Sequence, residues 1–202
     1  NNGSNGDRIW VVEREQMLLG LPAQYVGFPL LGCSTFGFYS PQIFNVTGGE
    51  LPPPGNATVV YMQDNAWGGV STDHLKLWTV NVDWDNINSS TVSSAVQIPT
   101  AAFTGVFDGG SFVNLSQPSG PDIDCMQATI MNLAQFRKFP DHNSAVFNFV
   151  VDAIGVGELA AVRWYELRQD DETSPWTIYQ EGTYTSPVGN KHAFGASMAM
   201  DS

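Results

Sequence analysis

Charge is scarce in this 202-residue chain, and positive charge is the scarcest. Only 14% of the residues are charged, against about 25% in an ordinary soluble domain. Eight Lys and Arg face 20 Asp and Glu, which gives a formal net charge of −12. Because such a field repels phosphate backbones, the composition excludes nucleic acid as a partner.

Cysteine and histidine are also few, with two and three residues. Their scattered positions exclude a clustered zinc site, and no CxxC motif is present. Cys33 and Cys125 are predicted either to form a disulfide in an oxidising compartment or to remain two thiols. No apolar run reaches the 18 or so residues of a membrane-spanning helix, so membrane insertion is not expected. Residues 1–7 lack the features of a signal peptide and are interpreted as a loop entered in mid-protein.

Turn formers and aromatic residues are abundant, with 20 Gly, 12 Pro and 12% aromatics. This composition predicts an all-β chain with a real core, since 43% of the residues are hydrophobic. Residues 75–84 alternate polar and apolar side chains, which is typical of a half-buried strand. Residues 145–151, 160–167 and 176–184 predict further strands, the last two as a hairpin. One short helix is predicted near residues 13–19.

A weak internal repeat organises these strands. Tyr61 precedes Trp78 by 17 residues, Phe147 precedes Trp164 by the same spacing, and the two pairs lie 86 residues apart. Repeated antiparallel units of this kind are typical of β-propeller blades, with Trp10, Trp78 and Trp164 as blade core. The approximate units are residues 1–57, 58–143 and 144–202, in which residues 194–201 would be the first strand of a later unit. The fold prediction is therefore antiparallel β-propeller-like blades, as an incomplete propeller or a fragment of a larger one. An irregular antiparallel sandwich is the alternative.

Several stretches resemble the repeated-blade region of large, secreted, mostly uncharacterised bacterial proteins. They are residues 141–152, 161–168, 176–184 and 196–201, with residues 12–20 and 77–84 matching the upstream part of the pattern. The resemblance covers most of the chain. It implies a propeller-like fold, export, and attachment to other modules, often with a sorting domain at the far C-terminus. It implies no established activity and no catalytic residue.

Two kinds of ligand site are predicted from loop residues. Trp67 and Trp84 lie beside turns, where an aromatic ring could stack on a sugar. Asp108, Asp122 and Asp124 lie in acidic, glycine-bearing loops that offer the oxygen ligands calcium prefers. No EF-hand pattern is present, so calcium is a candidate cofactor without a recognisable motif.

Catalytic chemistry is the alternative to binding. Glycoside hydrolysis needs two facing carboxylates, and the loop candidates are Asp64, Asp83, Asp85, Asp108, Asp122, Asp124 and Glu181. Asp141, His142 and Ser144 are interpreted as an exposed turn, because residues so close in sequence rarely converge into a triad. No Gly-x-Ser-x-Gly motif is present.

The leading hypothesis is a non-catalytic β-propeller binding or scaffold module of an exported bacterial surface or secreted protein. Its expected partners are other blades or domains of the parent protein, with surface proteins or glycans as candidate ligands. A sialidase-like glycoside hydrolase and a purely structural spacer in a cell-surface assembly are the alternatives. An extracellular location is expected for all three.

Overall fold

Strands are the main regular secondary structure in a computed structural model that describes residues 8–32, 41–111, 115–155 and 157–201. The strands are β1 (Arg8–Val12), β2 (Tyr25–Pro29), β3 (Gln42–Ile43), β4 (Asn45–Val46), β5 (Ala57–Gln63), β6 (His74–Asn81), β7 (Thr91–Val92), β8 (Val96–Pro99), β9 (Gln135–Lys138), β10 (Asn143–Asp152), β11 (Ala160–Gln169) and β12 (Thr177–Tyr184). A single α-helix among the described residues, α1 (Arg14–Leu18), confirms the predicted short helix. Two 3₁₀ turns cover Ile87–Ser89 and Asp108–Gly110.

The first sheet is built on the hairpin of β5 and β6. Its strand order is β3-β5-β6-β7, and β8 also pairs with β6. The alternating run predicted as a strand forms β6, which ends at Asn81 rather than at residue 84. On one face Trp78 is buried, and its Nε1 donates a hydrogen bond to the Leu31 carbonyl at 3.1 Å.

The second sheet has the order β12-β11-β10-β9-β4. Strands β9 to β12 form an antiparallel meander, which confirms the predicted hairpin of β11 and β12. At the far edge β4 runs parallel to β9, with Asn45 opposite Gln135. Nine of the ten residues of β10 are buried, as expected for a central strand with apolar neighbours on both faces.

The two sheets share one hydrophobic core. Between β3 and β4 only Phe44 separates the strand of one sheet from the strand of the other, and its side chain is buried. Tyr165 stacks between Phe147 and Phe149 on β10, with ring centroids 5.5 and 5.6 Å apart. The core therefore consists largely of aromatic rings contributed by central strands.

A connecting segment, residues 103–105, fixes the sheets to one another. Asp64 accepts a hydrogen bond from the Gly105 amide at 2.5 Å, and Asp73 accepts one from the Phe103 amide at 2.9 Å. Both carboxylates are buried and lie at the two ends of the loop that joins β5 to β6. The Thr104 carbonyl in turn accepts a hydrogen bond from the Asp152 amide at the end of β10, at 2.7 Å.

Two antiparallel pairs share a tryptophan packed over a glycine. Trp10 lies opposite Gly27 in the β1–β2 pair, and Trp164 lies opposite Gly182 in the β11–β12 pair. A Cβ added to either glycine would lie 2.7 Å from the nearest atom of the facing indole. The register of β6 and β8 places Ala95, another small residue, next in line opposite Trp78.

The aromatic residues of the predicted repeat do not all occupy equivalent positions in the two sheets. Tyr61 and Trp78 lie on one face of the first sheet, whereas Phe147 pairs with Tyr165, so Trp164 lies on the opposite face of the second sheet. Trp78 is core, as predicted, and Trp164 is half-buried. The prediction was wrong for Trp10, whose side chain is 58% exposed because β1 and β2 form a separate two-stranded sheet.

The predicted strand at residues 194–201 is also wrong. This segment pairs with no strand among the described residues, and Gly195 within it has a left-handed φ of 64°. It crosses the outer face of the second sheet, where the Met200 amide donates to the Gln135 side chain at 2.6 Å.

No closed propeller forms among the described residues. The unit boundaries predicted after residues 57 and 143 separate strands that pair, since β3 joins β5 and β9 joins β10.

We expect Gly182→Ala to destabilise the fold by about 1–3 kcal/mol, because the new methyl group would overlap the Trp164 ring. Gly189→Ala is the matched control, since no atom lies within 4 Å of its added Cβ. Urea unfolding of both variants measures the difference. Equal stability of the two would show that the indole moves aside without cost.

Candidate binding cleft between the two sheets

A cleft of about 490 Å³ lies where the two sheets meet. Its walls come from β5, β6, β8 and β9, from Phe44 between the sheets, and from the turn that joins β11 to β12. The lining consists of apolar side chains and neutral polar ones, with Glu172 as the single charged residue among them: Phe44, Val46, Pro52, Gly55, Asn56, Ala57, Thr58, Leu77, Thr79, Val96, Phe136, Gln169, Glu172, Thr173, Ser174, Pro175 and Trp176.

Three aromatic rings form one part of the apolar lining of the cleft. The Trp176 ring meets Phe44 edge-on at 5.1 Å and Phe136 edge-on at 6.1 Å between centroids. Its Nε1 donates a hydrogen bond to the Thr58 hydroxyl at 3.3 Å, which joins the second sheet to β5. Trp176 is thus held from three sides while its side chain remains half-buried.

The turn that positions Trp176 is held by Asp171. Its Oδ1 accepts hydrogen bonds from the amides of Thr173 and Ser174 at 2.8 and 2.9 Å and from the Thr173 hydroxyl at 2.7 Å. These bonds also keep the pKa of Asp171 below its usual value. The Asp-x-Thr-Ser sequence predicts such a turn from local chemistry alone.

Glu172 is neutralised at the rim. It forms an ion pair with Lys138 on β9, and the hydrogen bond from that ammonium lowers the pKa of the carboxyl group. A ligand in the cleft would therefore meet aromatic rings, hydroxyls and amides beside a charge that already has a partner.

The two tryptophans predicted to stack on sugars lie outside this cleft. Trp67 is 2% exposed and stacks on Tyr61 with centroids 5.9 Å apart, which leaves no exposed ring face for a sugar. Trp84 is half-buried, and its carbonyl accepts a hydrogen bond from Gln24 at 2.9 Å. A role for Trp84 stays a prediction.

The three aspartates predicted to bind calcium are all exposed. Asp124 accepts a hydrogen bond from the Met126 amide at 2.7 Å, and the Asp108 amide donates to Glu158. Within the described ranges, no group of three or more His, Cys, Asp or Glu side chains is arranged to hold a metal ion. Calcium binding, in which Asp122 would take part with the other two, stays a prediction.

None of the seven carboxylates considered for glycoside hydrolysis lines the cleft. Glu181 forms an ion pair with Arg163, and its second oxygen accepts a hydrogen bond from the Ala101 amide at 3.1 Å. Asp83 holds its own turn through the amides of Asp85 and Asn86.

The Asp141, His142 and Ser144 side chains do not converge. His142 contacts Asp141 at 2.7 Å and stacks on Phe139, whereas Ser144 donates to Glu166 at 3.0 Å. The interpretation as an exposed turn holds only for Asp141, because His142 is half-buried and Ser144 is a buried residue of β10.

Cys125 is buried beside Phe107 and Leu115, and burial raises the pKa of its thiol to about 12. Cys33 lies outside the described residues. Whether the two form a disulfide therefore stays a prediction.

Sequence reasoning missed the cleft because its lining spans residues 44 to 176. The only local signal was the turn before β12, which predicted a position for Trp176 but not its neighbours. Phe44 lies between two strands of two residues each, and Phe136 lies in a strand of four, and all three strands are too short to be recognised from alternation.

Comparison with known proteins adds no relative: family models, curated proteins and solved structures all gave no match to this chain. The resemblance to a repeated-blade region therefore stays a prediction. Among the described residues, no helix is long and apolar enough to cross a membrane.

A pH-dependent effect is expected at Asp64. Burial raises the pKa of this carboxyl group, with the nearby charge of Asp73 adding to the effect, so the folded state binds its proton more tightly than the unfolded chain. The contribution of Asp64 to the free energy of unfolding is fully present below the usual carboxyl pKa. It is lost as the pH rises through the raised pKa. The unfolding free energy of the native chain, measured relative to Asp64→Asn, should therefore fall with increasing pH.

Urea unfolding between pH 4 and 8 measures this difference. The Asp64→Asn substitution also lowers the free energy of unfolding by about 1–3 kcal/mol at every pH, because the side-chain NH₂ group would face the backbone N–H of Ala66 or Gly105. Asp85→Asn, at an exposed position, is the control and should show no such trend. A constant difference for Asp64→Asn would contradict the prediction.

Proposed function

We propose that this chain is a non-catalytic, β-propeller-like binding or scaffold module of an exported bacterial surface or secreted protein. In this proposal the ligand binds in the cleft between the two sheets. The observation that carries the proposal is the lining of that cleft, in which three aromatic rings lie beside hydroxyl and amide groups.

The chemistry of the lining favours a neutral ligand. Binding sites commonly combine a mostly apolar wall with a few polar groups that fix orientation. Thr58, Thr79, Thr173 and Asn56 supply such groups around the rings. A sugar ring, with an apolar face and a rim of hydroxyls, fits this pattern, and so does an extended peptide of a surface protein.

The blade-like part of the proposal is supported by the tryptophan–glycine pairs. Trp10 over Gly27 and Trp164 over Gly182 recur in antiparallel pairs 154 residues apart in the chain. Two sheets with a shared core are also compatible with neighbouring blades. Export and a place in a larger protein follow from the sequence resemblance alone.

A glycan array and a pull-down against bacterial surface proteins test the binding role. The decisive comparison uses two exposed valines, changed to the same residue. Val96 lines the cleft and is 57% exposed, whereas Val188 lies outside it and is 62% exposed.

We expect Val96→Glu to weaken binding of a captured ligand by ten-fold or more, about 1.4 kcal/mol, because it places a charge in a neutral cleft. Val188→Glu should bind as the native chain does. Calorimetric titration measures both. Equal affinities would place the ligand elsewhere, and no ligand in either screen would favour a structural spacer.

A further inference from the structure

We infer that the side chains of Lys138 and Asn143 condense to an intramolecular amide bond, with Glu172 as the group that moves the protons. Such a bond joins β9 to β10 covalently and closes the turn over residues 139–142. The inference concerns a modification of the chain itself and does not depend on a ligand in the cleft.

The strand register brings the amine and the amide together. Lys138 ends β9, Asn143 begins β10, and the two residues are directly opposite in the antiparallel pair. Side chains at opposite positions lie on one face of a sheet, with Cβ atoms about 4.5–5.5 Å apart. A lysine side chain spans such a distance, so its Nζ is able to reach the Asn143 side chain.

Glu172 reaches both groups from the turn that joins β11 to β12. It forms an ion pair with the Lys138 ammonium, and the nearby Asn143 amide adds to the effect that lowers the pKa of the Glu172 carboxyl group. The side chains of Lys138 and Glu172 are 28% and 21% exposed, so water has only partial access to the pair. An amine, a carboxamide and a carboxylate are therefore held at one end of the second sheet.

The Asn143 side chain is poorly satisfied while it remains a free amide. The residue is 1% exposed, yet neither Nδ2 nor Oδ1 has a partner in full hydrogen-bond geometry among the described residues. Buried polar groups without such partners are rare in folded proteins, because their lost hydration is not replaced. Condensation removes the Nδ2 amino group and leaves one new N–H beside the Glu172 carboxylate, which accepts its hydrogen bond.

The reaction needs no oxidant, reductant or second reactant. Glu172 accepts a proton from Lys138 Nζ, and the lone pair of the resulting amine attacks Cγ of Asn143. The Nζ–Cγ bond forms and the Cγ–Nδ2 bond breaks. Two of the three Nζ protons pass to Nδ2 through Glu172, so the leaving group is an ammonium ion and Glu172 ends as a carboxylate. Holding the amine beside the amide makes the step intramolecular, which favours an otherwise slow condensation.

The mass of the purified full chain tests the bond. We expect a mass about 17 Da below that of the expressed sequence, because one ammonia is lost. Lys138→Arg keeps the positive charge without a nucleophilic amine, and Glu172→Gln removes the proton acceptor, so both should have the full mass of their own sequences. Lys191→Arg is the matched control, since Lys191 is exposed and lies outside this site, and it should keep the loss.

Tryptic peptides locate the bond. Because trypsin does not cleave after a lysine whose Nζ is in an amide, the Lys138–Phe139 bond should stay intact and the peptide of residues 138–163 should carry the mass loss. A native chain at its full sequence mass would overturn the inference. So would a lighter chain that is still cleaved after Lys138, or an equal loss in Lys138→Arg, because the ammonia would then have left another residue. An undiminished loss in Glu172→Gln would overturn the role of Glu172.

Discussion

Two buried carboxylates hold the molecule together at the junction of its sheets. Asp64 and Asp73 each accept a hydrogen bond from the backbone of residues 103–105, and the same segment binds the end of β10 through the Thr104 carbonyl. Buried charges are costly unless their oxygens are satisfied, so these bonds specify one position for the segment. Because the cleft is lined by both sheets, its shape depends on how the two sheets are held relative to one another.

Local patterns predicted the elements whose partners are near in sequence. The alternation in β6, the β11–β12 hairpin and the short helix α1 were all recognisable because each is decided within about 20 residues. The pairing of β4 with β9 was not recognisable, since a strand of two residues has no periodic pattern. Residues 194–201 have the composition of a strand but pair with no strand among the described residues, and pattern alone does not distinguish a paired strand from an unpaired segment.

In the candidate site, too, local sequence predicted some features and distant packing decided the rest. Trp67 and Trp176 both lie beside turns, yet Trp67 is covered by Tyr61 while Trp176 opens into the cleft. Burial of a side chain is decided by the packing of distant strands, so turn context alone could not separate the two. The spacing of tryptophans likewise pointed to a repeat, but the recurring feature is the glycine opposite Trp10 and opposite Trp164. That glycine is identifiable only once the register of the strands is known.

The parallel pairing of β4 with β9 has a consequence for folding kinetics. Asn45 and Gln135 are opposite one another although 90 residues separate them, and the enclosed chain contains β5 to β8 of the first sheet. Closing so long a loop costs entropy before the contact returns any energy, and topologies rich in such contacts fold slowly. Strand β4 would then join its sheet late, after the hairpins on either side have formed. Until it does, β9 exposes an unpaired edge, and this is the interval in which the chain is most prone to associate wrongly.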